Sequence, residues 1–271
     1  MNSKRKSKWT RDNVTRRLKQ LHKELGRRPV KRDYAGLYSA TKSLFGTWNN
    51  AMEIAGFKVK RFQKPRIPDK LTPELSYFIG LLITDGHLAD NPKRGVHTSM
   101  LFTSYDEELS VILRLIKDLF GYKPTIRKRK YGFNKRVNYQ ININSKNLAS
   151  YFKDDIGVPS GNKSKIVRIP KVIFRTNKKN IINFVRGVID GDGNISPKRP
   201  IRIASGSIDF LRDLKKLFIK LDLQSSEIKF DRTAYILYLY QKDNLKIYNL
   251  LYKSAKYYYP RKKRALEIQY I

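Results

Sequence analysis

The chain carries one apolar segment twice. Tyr77 to Leu88 reads YFIGLLITDGHL, and Phe184 to Ile195 reads FVRGVIDGDGNI. Gly80, Asp85 and Gly86 of the first align with Gly187, Asp192 and Gly193 of the second, each pair 107 residues apart (192 − 85 = 107). The parallel continues downstream in order. S-Y-D-E-E-L from Ser104 matches S-I-D-F-L from Ser207, the stretches LRLIKDLF and LRDLKKLF follow, and K-N-L at Lys146 to Leu148 is echoed by D-N-L at Asp243 to Leu245. The spacing shortens along the series, as shorter loops in the second copy would produce. Such a chain must build its main body from two related halves. Each runs apolar helix ending in Asp-Gly, strands, amphipathic helix, strands and a final helical segment, an α+β arrangement of the type αββαββα.

Two strands are legible by alternation. In RVNYQINI, Val137, Tyr139, Ile141 and Ile143 point one way while Arg136, Asn138, Gln140 and Asn142 point the other, the pattern of a half-buried strand. In PTIRKRKY, Ile126, Lys128 and Lys130 alternate with Arg127, Arg129 and Tyr131. Both suit an antiparallel sheet with helices on one face and solvent on the other.

A lone Asp-Gly is ordinarily a turn or a helix stop. Two of them in matching apolar frames call for another reason. A carboxylate at a helix C-terminus meets the negative end of the dipole, which disfavours it by a few tenths to about 1 kcal/mol. A bound cation reverses that sign. Side-by-side helices would bring Asp85 and Asp192 together as a like-charge pair, and Gly80 and Gly187, lacking side chains, would let the backbones approach. Metals held this way activate water and stabilise the leaving oxygen in phosphodiester hydrolysis. Asp190 has no acidic counterpart in the first copy, and its expected role is to help end the helix or pair with a base rather than to bind metal.

The acids stand in a very basic chain. Lys and Arg number 58 against 23 Asp and Glu, a net charge of +35 over 271 residues, and such self-repulsion is tolerated mainly where a polyanion relieves it. Nucleic acid is the expected partner. The longest apolar run, YFIGLLI, is far short of the roughly 18 residues of a membrane span, so no membrane partner is expected. MNSKRKSKW has charge but no apolar segment after it, which argues against a secretory signal; its basic run reads as a targeting signal or, the favoured reading, as phosphate contacts. Cysteine is absent and there are three histidines, leaving neither disulfides nor a zinc site and pointing to an intracellular protein of the cytoplasm, nucleoid or an organelle matrix. The 13 Phe and 17 Tyr are enough to build real cores.

Residues 9 to 57 read as a helical module of three or four short helices. Val14, Leu18, Leu21 and Leu25 fall at helical spacing, Gly26 stops the first helix, and Tyr38 to Phe45 and Trp48 to Ala55 make two more. Phe45 and Trp48 are expected in its core. The expected organisation is a module over 1–58, a basic linker over 59–71, a first half over 72–170 and a second over 171–271.

FIGLLITDG and VRGVIDGDG resemble the hallmark motif of the LAGLIDADG homing endonucleases. They keep its third-position glycine, eighth-position acid and final glycine, and the resemblance covers about the last 200 residues. It implies two pseudo-symmetric halves forming a saddle-shaped antiparallel sheet surface, in one monomeric chain that makes Mg²⁺-dependent (or other divalent-cation-dependent) double-strand breaks in DNA at a long, asymmetric target. A small-molecule substrate is not expected. By the same resemblance Asp85 and Asp192, with the preceding Thr84 and Gly191, form the metal site. GVPSGNKSKIVRIP and YYYPRKKRALEI are similar to the family's lysine segments, placing Lys163 and Lys262 as active-site lysines, with Arg261 and Lys263 as register alternatives for the second. If the alternating strands face DNA, Arg127, Arg129, Tyr131, Arg136, Asn138, Gln140 and Asn142 read the major groove; the second-copy counterparts are Arg202, Lys229, Asp231, Arg232, Tyr238 and Tyr240. LGRRPVKRD, LYSATKSLFG and TWNNAMEIAGF resemble the helical repeat appended to homing endonucleases, an accessory DNA-binding unit contacting through Arg27, Arg28, Lys31, Arg32 and Lys42. The rival reading is a non-cleaving binder, such as an intron-splicing maturase or a repressor. An intein is not expected, because the chain starts Met-Asn and ends Gln-Tyr-Ile.

Overall fold

The structure is a computed structural model that describes residues 9–59, 64–91, 93, 95–131, 136–196 and 199–268. The basic run at 1–8, positions 60–63 of the expected linker, and the side chains of Tyr131 and Arg136 lie outside what is described. The chain divides into two units, Met1–Gln63 and Lys64–Ile271.

The first unit is helical among its described residues: α1 (Arg11–Leu25), α2 (Ala35–Phe45) and α3 (Trp48–Ile54). Thr10 and Asn13 cap α1 reciprocally, each side chain accepting from the other's backbone N–H, which satisfies two of the donors a helix start leaves open. Gly26 ends α1 with φ 60°, a left-handed conformation that favours glycine. The second helix starts at Ala35, one turn ahead of the expected Tyr38, because Tyr34 is still extended. Val14, Leu18, Leu37, Phe45, Trp48 and Met52 form the core, as the helical spacing required.

The second unit contains the two halves. The first comprises α4 (Pro73–Ile83), β1 (Gly86–Asn91), β2 (Val96–Thr103), α5 (Asp106–Phe120), β3 (Thr125–Tyr131), β4 (Arg136–Asn144) and α6 (Lys146–Ser150), which continues into a π-helical turn to Ile156. Short α7 (Lys171–Phe174) precedes the second: α8 (Lys178–Asp192), β5 (Gly193–Asn194), β6 (Ile201–Ser205), α9 (Ile208–Lys220), β7 (Lys229–Asp231), β8 (Ala234–Leu239), α10 (Asn244–Leu251) and α11 (Pro260–Glu267). Both sheets are antiparallel and share one order, β1-β2-β4-β3 and β5-β6-β8-β7. The repeat in sequence is therefore a repeat in topology. Residues 64–71 run along the first half, where Arg66 donates its N–H to the carbonyl of Phe120 at 2.9 Å.

Every residue of α4 from Leu75 to Ile83 is buried. A helix that is apolar all round needs neighbours all round; here α8 packs along it, with the glycines Gly80 and Gly187 at the crossing. One apolar core runs through both halves, from Leu75 to Leu266. This packing delivers the two Asp-Gly ends side by side.

Candidate active site

Each motif helix ends by folding back on itself. A Cβ on Gly86 would stand 2.5 Å from the carbonyl oxygen of Leu82, and one on Gly193 would stand 2.4 Å from that of Ile189, so the final glycine of each motif is dictated by its own helix. The two ends also touch each other. A Cβ on Gly191 would lie 2.0 Å from Thr84 Oγ1 and 3.5 Å from Asp85 Cγ. Thr84 fills that space and ties its hydroxyl to the carbonyl of Gly80 at 2.9 Å; glycine at position 191 is the complement of threonine at 84.

Asp85 and Asp192 meet at this junction. Burial pushes the carboxyl of Asp85 up to about 7, with the charge of Asp192 as the next cause, while Lys262 and Lys163 pull the other way. Asp192 reaches solvent on one side, but protein packed around its carboxyl pushes it up to about 6, against the pull of Lys163 and Lys262. Among the described residues, neither side chain accepts a hydrogen bond. Two repelling carboxylates without donors, each at the negative end of a helix, are a donor set that fits a hard divalent cation. Among the described residues no three His, Cys, Asp or Glu side chains gather elsewhere into a metal cage. Two carboxylates suffice for Mg²⁺, which typically keeps water and substrate phosphate oxygens as its remaining ligands.

The lysines occupy equivalent places. Lys163 Nζ donates to the carbonyls of Leu82 (2.8 Å), Ile83 and Thr84 (3.3 Å) at the end of α4. Lys262 Nζ donates to the carbonyl of Gly193 at the end of α8. Each ammonium thus serves the helix end of its own half, where positive charge offsets the dipole. Burial holds Lys163 down at about 8 and also lowers Lys262, with Arg261 as the second cause. Of the register alternatives, Arg261 turns to Glu108 at 3.2 Å and Lys263 to Glu267 at 3.8 Å, so Lys262 is the one that reaches the helix end.

His87 belongs to the same site and was not foreseen. Leu88 faces the core, so His87 before it faces outward, and it lines a cleft of about 320 Å³ with Thr84, Lys163, Ser164 and Asp192. Burial and the nearby Lys163 keep its imidazole below the usual histidine range. The spacing of two from Asp85 on an expected strand was the available signal.

Asp190 stands apart from the junction. Its carboxylate is buried and accepts from the hydroxyls of Tyr77 (2.7 Å) and Tyr252 (2.8 Å) and from the N–H of Tyr259 (2.9 Å). Burial raises it to about 6 despite these three donors. Its carboxylate oxygens are taken up by these three donors.

The outward sheet face of the first half carries the expected residues. Register pairs Arg127 with Gln140, Arg129 with Asn138 and Tyr131 with Arg136, while Tyr139, Ile141 and Ile143 turn into the core. Asn142 shares that face, but contrary to expectation it is buried, accepting from Gln140 Nε2 at 2.8 Å through its amide oxygen. In the second half Arg202 pairs with Tyr238 and Lys229 with Ile236 on the outward face. Arg232 was expected on a strand and instead sits in the β7–β8 turn with φ 56°, because β7 ends at Asp231. Tyr240 lies just past β8. In the helical unit, Arg27, Arg28, Lys31, Arg32 and Lys42 are all exposed, and Arg27 is also gripped at both guanidinium nitrogens by Asp33, 2.9 Å each.

Comparison with known proteins bears on the fold and the family. Residues 72–157 and 179–251, well over half of the chain, match the LAGLIDADG-like domain. The chain belongs to the LAGLIDADG family. Its residues 9–58 match the homing endonuclease associated repeat. Among solved structures, the LAGLIDADG homing endonuclease I-DmoI in complex with DNA and Ca superposes with a TM-score of 0.55 at 19% identity, covering 74% of this chain and all of that one (100%). I-WcaI bound to its DNA recognition sequence gives 0.52 at 18% identity, covering 73% and 88%. Curated relatives include a probable translation initiation factor IF-2 of Thermococcus kodakarensis, 30% identical over 191 residues, and a glutamine–fructose-6-phosphate aminotransferase of Methanocaldococcus jannaschii, 29% identical over 168 residues. The matches cover 69% and 62% of this chain but only 15% and 14% of those proteins, so the named activities belong to the relatives as wholes. Among the described residues, no helix is long and apolar enough to cross a membrane.

Proposed function

We propose that the chain is a site-specific DNA endonuclease that hydrolyses one phosphodiester in each strand of a long, asymmetric duplex target, acting as a single chain. The observation that carries this reading is the junction itself: Asp85 and Asp192 meet at the ends of two packed helices, each end attended by its own lysine. The solved structures sharing this fold include one of I-DmoI with DNA and Mn and another with DNA and Ca, which supports duplex DNA as the substrate and a divalent cation at the carboxylates.

Asp85 and Asp192, with the backbones of Thr84 and Gly191 beside them, hold the cation. When bound, it supplies an activated water and charge stabilisation at the scissile phosphates. The chain's own groups do the rest. Lys163 and Lys262, each on one side of the paired aspartates, place a positive charge where a phosphorane's negative charge develops. Arg127, Arg129, Asn138 and Gln140 in one half, and Arg202 and Lys229 in the other, present donors to base edges and phosphates. Because the two faces differ in sequence, one chain reads a non-palindromic site. Exposed Arg28, Lys31, Arg32 and Lys42 extend the phosphate contacts. The test is to incubate the protein with a randomised duplex library in Mg²⁺, Ca²⁺ or EDTA and sequence the ends. Cuts at one site in Mg²⁺ support the reading; binding without Mg²⁺-dependent cuts at any salt concentration overturns it in favour of a non-cleaving binder such as a maturase or repressor.

A further inference from the structure

Position six of the motif is the point where the halves part company: Ile83 in the first, Asp190 in the second. Asp190 is 1% exposed, and among the described residues its hydrogen bonds run to tyrosines and not to the paired aspartates. Its three donors come from three places: Tyr77 on α4, Tyr252 at the end of α10, and the backbone of Tyr259. Arg186, one turn earlier on α8 and also buried, donates to the carbonyls of Tyr257 (2.7 Å) and Leu251 (2.8 Å) and to Asn183. The segment from Leu251 to Tyr259 is therefore stitched to α8 at successive points.

Tyr259 is the residue that starts α11, and it has no side-chain cap of its own. Its carbonyl accepts from the N–H of Lys262 at 3.0 Å. One hydrogen bond and one helical turn thus separate the carboxylate of Asp190 from Lys262, whose ammonium reaches the carbonyl of Gly193, the residue that caps the helix carrying Asp190. In the first half, Lys163 is held by a local turn, in which its carbonyl accepts from Val167 at 2.8 Å.

We propose that Asp190 is a positioning residue for Lys262: it pins the first turn of α11 so that the ammonium stays on the end of α8, in the second half alone. The catalytic consequence rests on the nuclease reading above; the positioning does not. The positioning is assigned to the bonds; the Asp190 charge separately favours the protonated Lys262 ammonium. An asparagine with its oxygen toward Tyr77 and Tyr259 keeps both donors, and its amide can donate to the Tyr252 hydroxyl. Alanine keeps none.

The test is reductive methylation with formaldehyde and borohydride, read by mass spectrometry at Lys262 and Lys163 in the same sample. Lys262 is 5% exposed in the intact protein. Losing bonds to a buried carboxylate frees α11, so Asp190→Ala is expected to raise the rate at Lys262 by about tenfold with Lys163 unchanged, and Tyr252→Phe by about fivefold. Asp190→Asn stays within about twofold of the parent. If Asp190→Ala does not fold, Tyr252→Phe decides, since it removes one hydroxyl and keeps the ring. An unchanged Lys262 in the folded variants, or an equal rise at both lysines, overturns the proposal. A strand-labelled duplex in Mg²⁺ gives the second readout: Asp190→Ala accumulates product nicked in one strand and Asp190→Asn restores the second cut, while equal slowing of both cuts overturns it. A parent protein that never cuts defeats the nuclease reading and leaves the methylation result to decide this one.

Discussion

Gly80 and Gly187 face each other with no room for a side chain on either. A Cβ on Gly80 would stand 2.5 Å from the carbonyl oxygen of Phe184 and 2.9 Å from Gly187 Cα; a Cβ on Gly187 would stand 2.3 Å from the carbonyl oxygen of Tyr77. The obstructing atoms are backbone, so they yield only if the helices separate. Gly187→Ala is expected to cost about 1–3 kcal/mol, the usual range for overpacking a close-packed core, measured as a lower urea midpoint at unchanged slope. The same variant should cut DNA poorly even where folded, because the separation of Asp85 from Asp192 is set at this crossing.

The halves were legible because their constraints are local and repeated: an apolar helix buried on every side, a glycine at the crossing, an acid and a glycine at the end. The outward sheet face followed from alternation, which fixes the side of every residue on a strand once one is known. What escaped the sequence depends on distant partners. Asp190 draws on Tyr77, Tyr252 and Tyr259, which lie on three other segments, and no spacing links them. Asn142 has a polar side chain in a polar register, yet its neighbours cover it. Arg232 was misplaced because a three-residue strand is too short to carry an alternation. Asp33, six residues after Arg27, was in view, and an ion pair across that turn could have been read.

The metal-free protein should lose stability as pH rises through the range of its paired acids. Asp85, held at about 7 in the fold against about 3.9 in an unfolded chain, keeps its proton where the unfolded state releases one. Folded protein then binds more protons, so this contribution is fully present below about pH 4 and falls away up to about pH 7. Asp85→Asn should flatten that part of the profile and be more stable than the parent at pH 8 without metal. Mg²⁺ should stabilise the parent and not the variant, as judged by thermal melts across pH with EDTA or Mg²⁺. A parent profile identical to that of Asp85→Asn would mean that neither burial nor the charge of Asp192 raises the Asp85 carboxyl in solution.

Lys163 and Lys262 attend different helix ends, so their losses should fall on different strands. With a duplex labelled separately on each strand, Lys163→Met and Lys262→Met should each slow one cut by about a hundredfold, the scale of removing one preorganised donor from developing charge. The nicked products should be complementary, and binding in Ca²⁺ should change little. Equal slowing of both cuts by either variant would show that the two lysines do not act strand by strand.

Residues on the sheet and on the helical unit should separate by their salt response. Arg127→Ala, on the outward face opposite Gln140, should cost about 1–3 kcal/mol of discrimination at one base position. Lys42→Ala, exposed in the helical unit, should weaken all sequences alike and reduce the slope of log affinity against log salt by about 1. Fluorescence anisotropy across a salt series with the selected target and single-base variants would read both effects.

Arg261 and Glu108 join the second half's last helix to the first half's α5. Glu108 is buried, takes the hydroxyl of Thr103 at 2.6 Å, and meets Arg261 at 3.2 Å, while the Arg261 guanidinium stacks over Tyr105 at 4.4 Å. Arg264 grips both oxygens of Glu107 beside it, at 2.7 and 2.9 Å. The helix carrying Lys262 is therefore clamped by the opposite half as well as by Asp190. Arg261 is partly open to solvent, so its pairing should be modest, on the order of 1 kcal/mol in a double-mutant cycle of Arg261→Gln and Glu108→Gln. Glu108→Gln alone should cost more than Arg261→Gln alone, since it leaves a buried polar site with a changed donor balance. Urea unfolding of the four proteins gives the cycle, and additive losses would show that the two halves meet here without coupling.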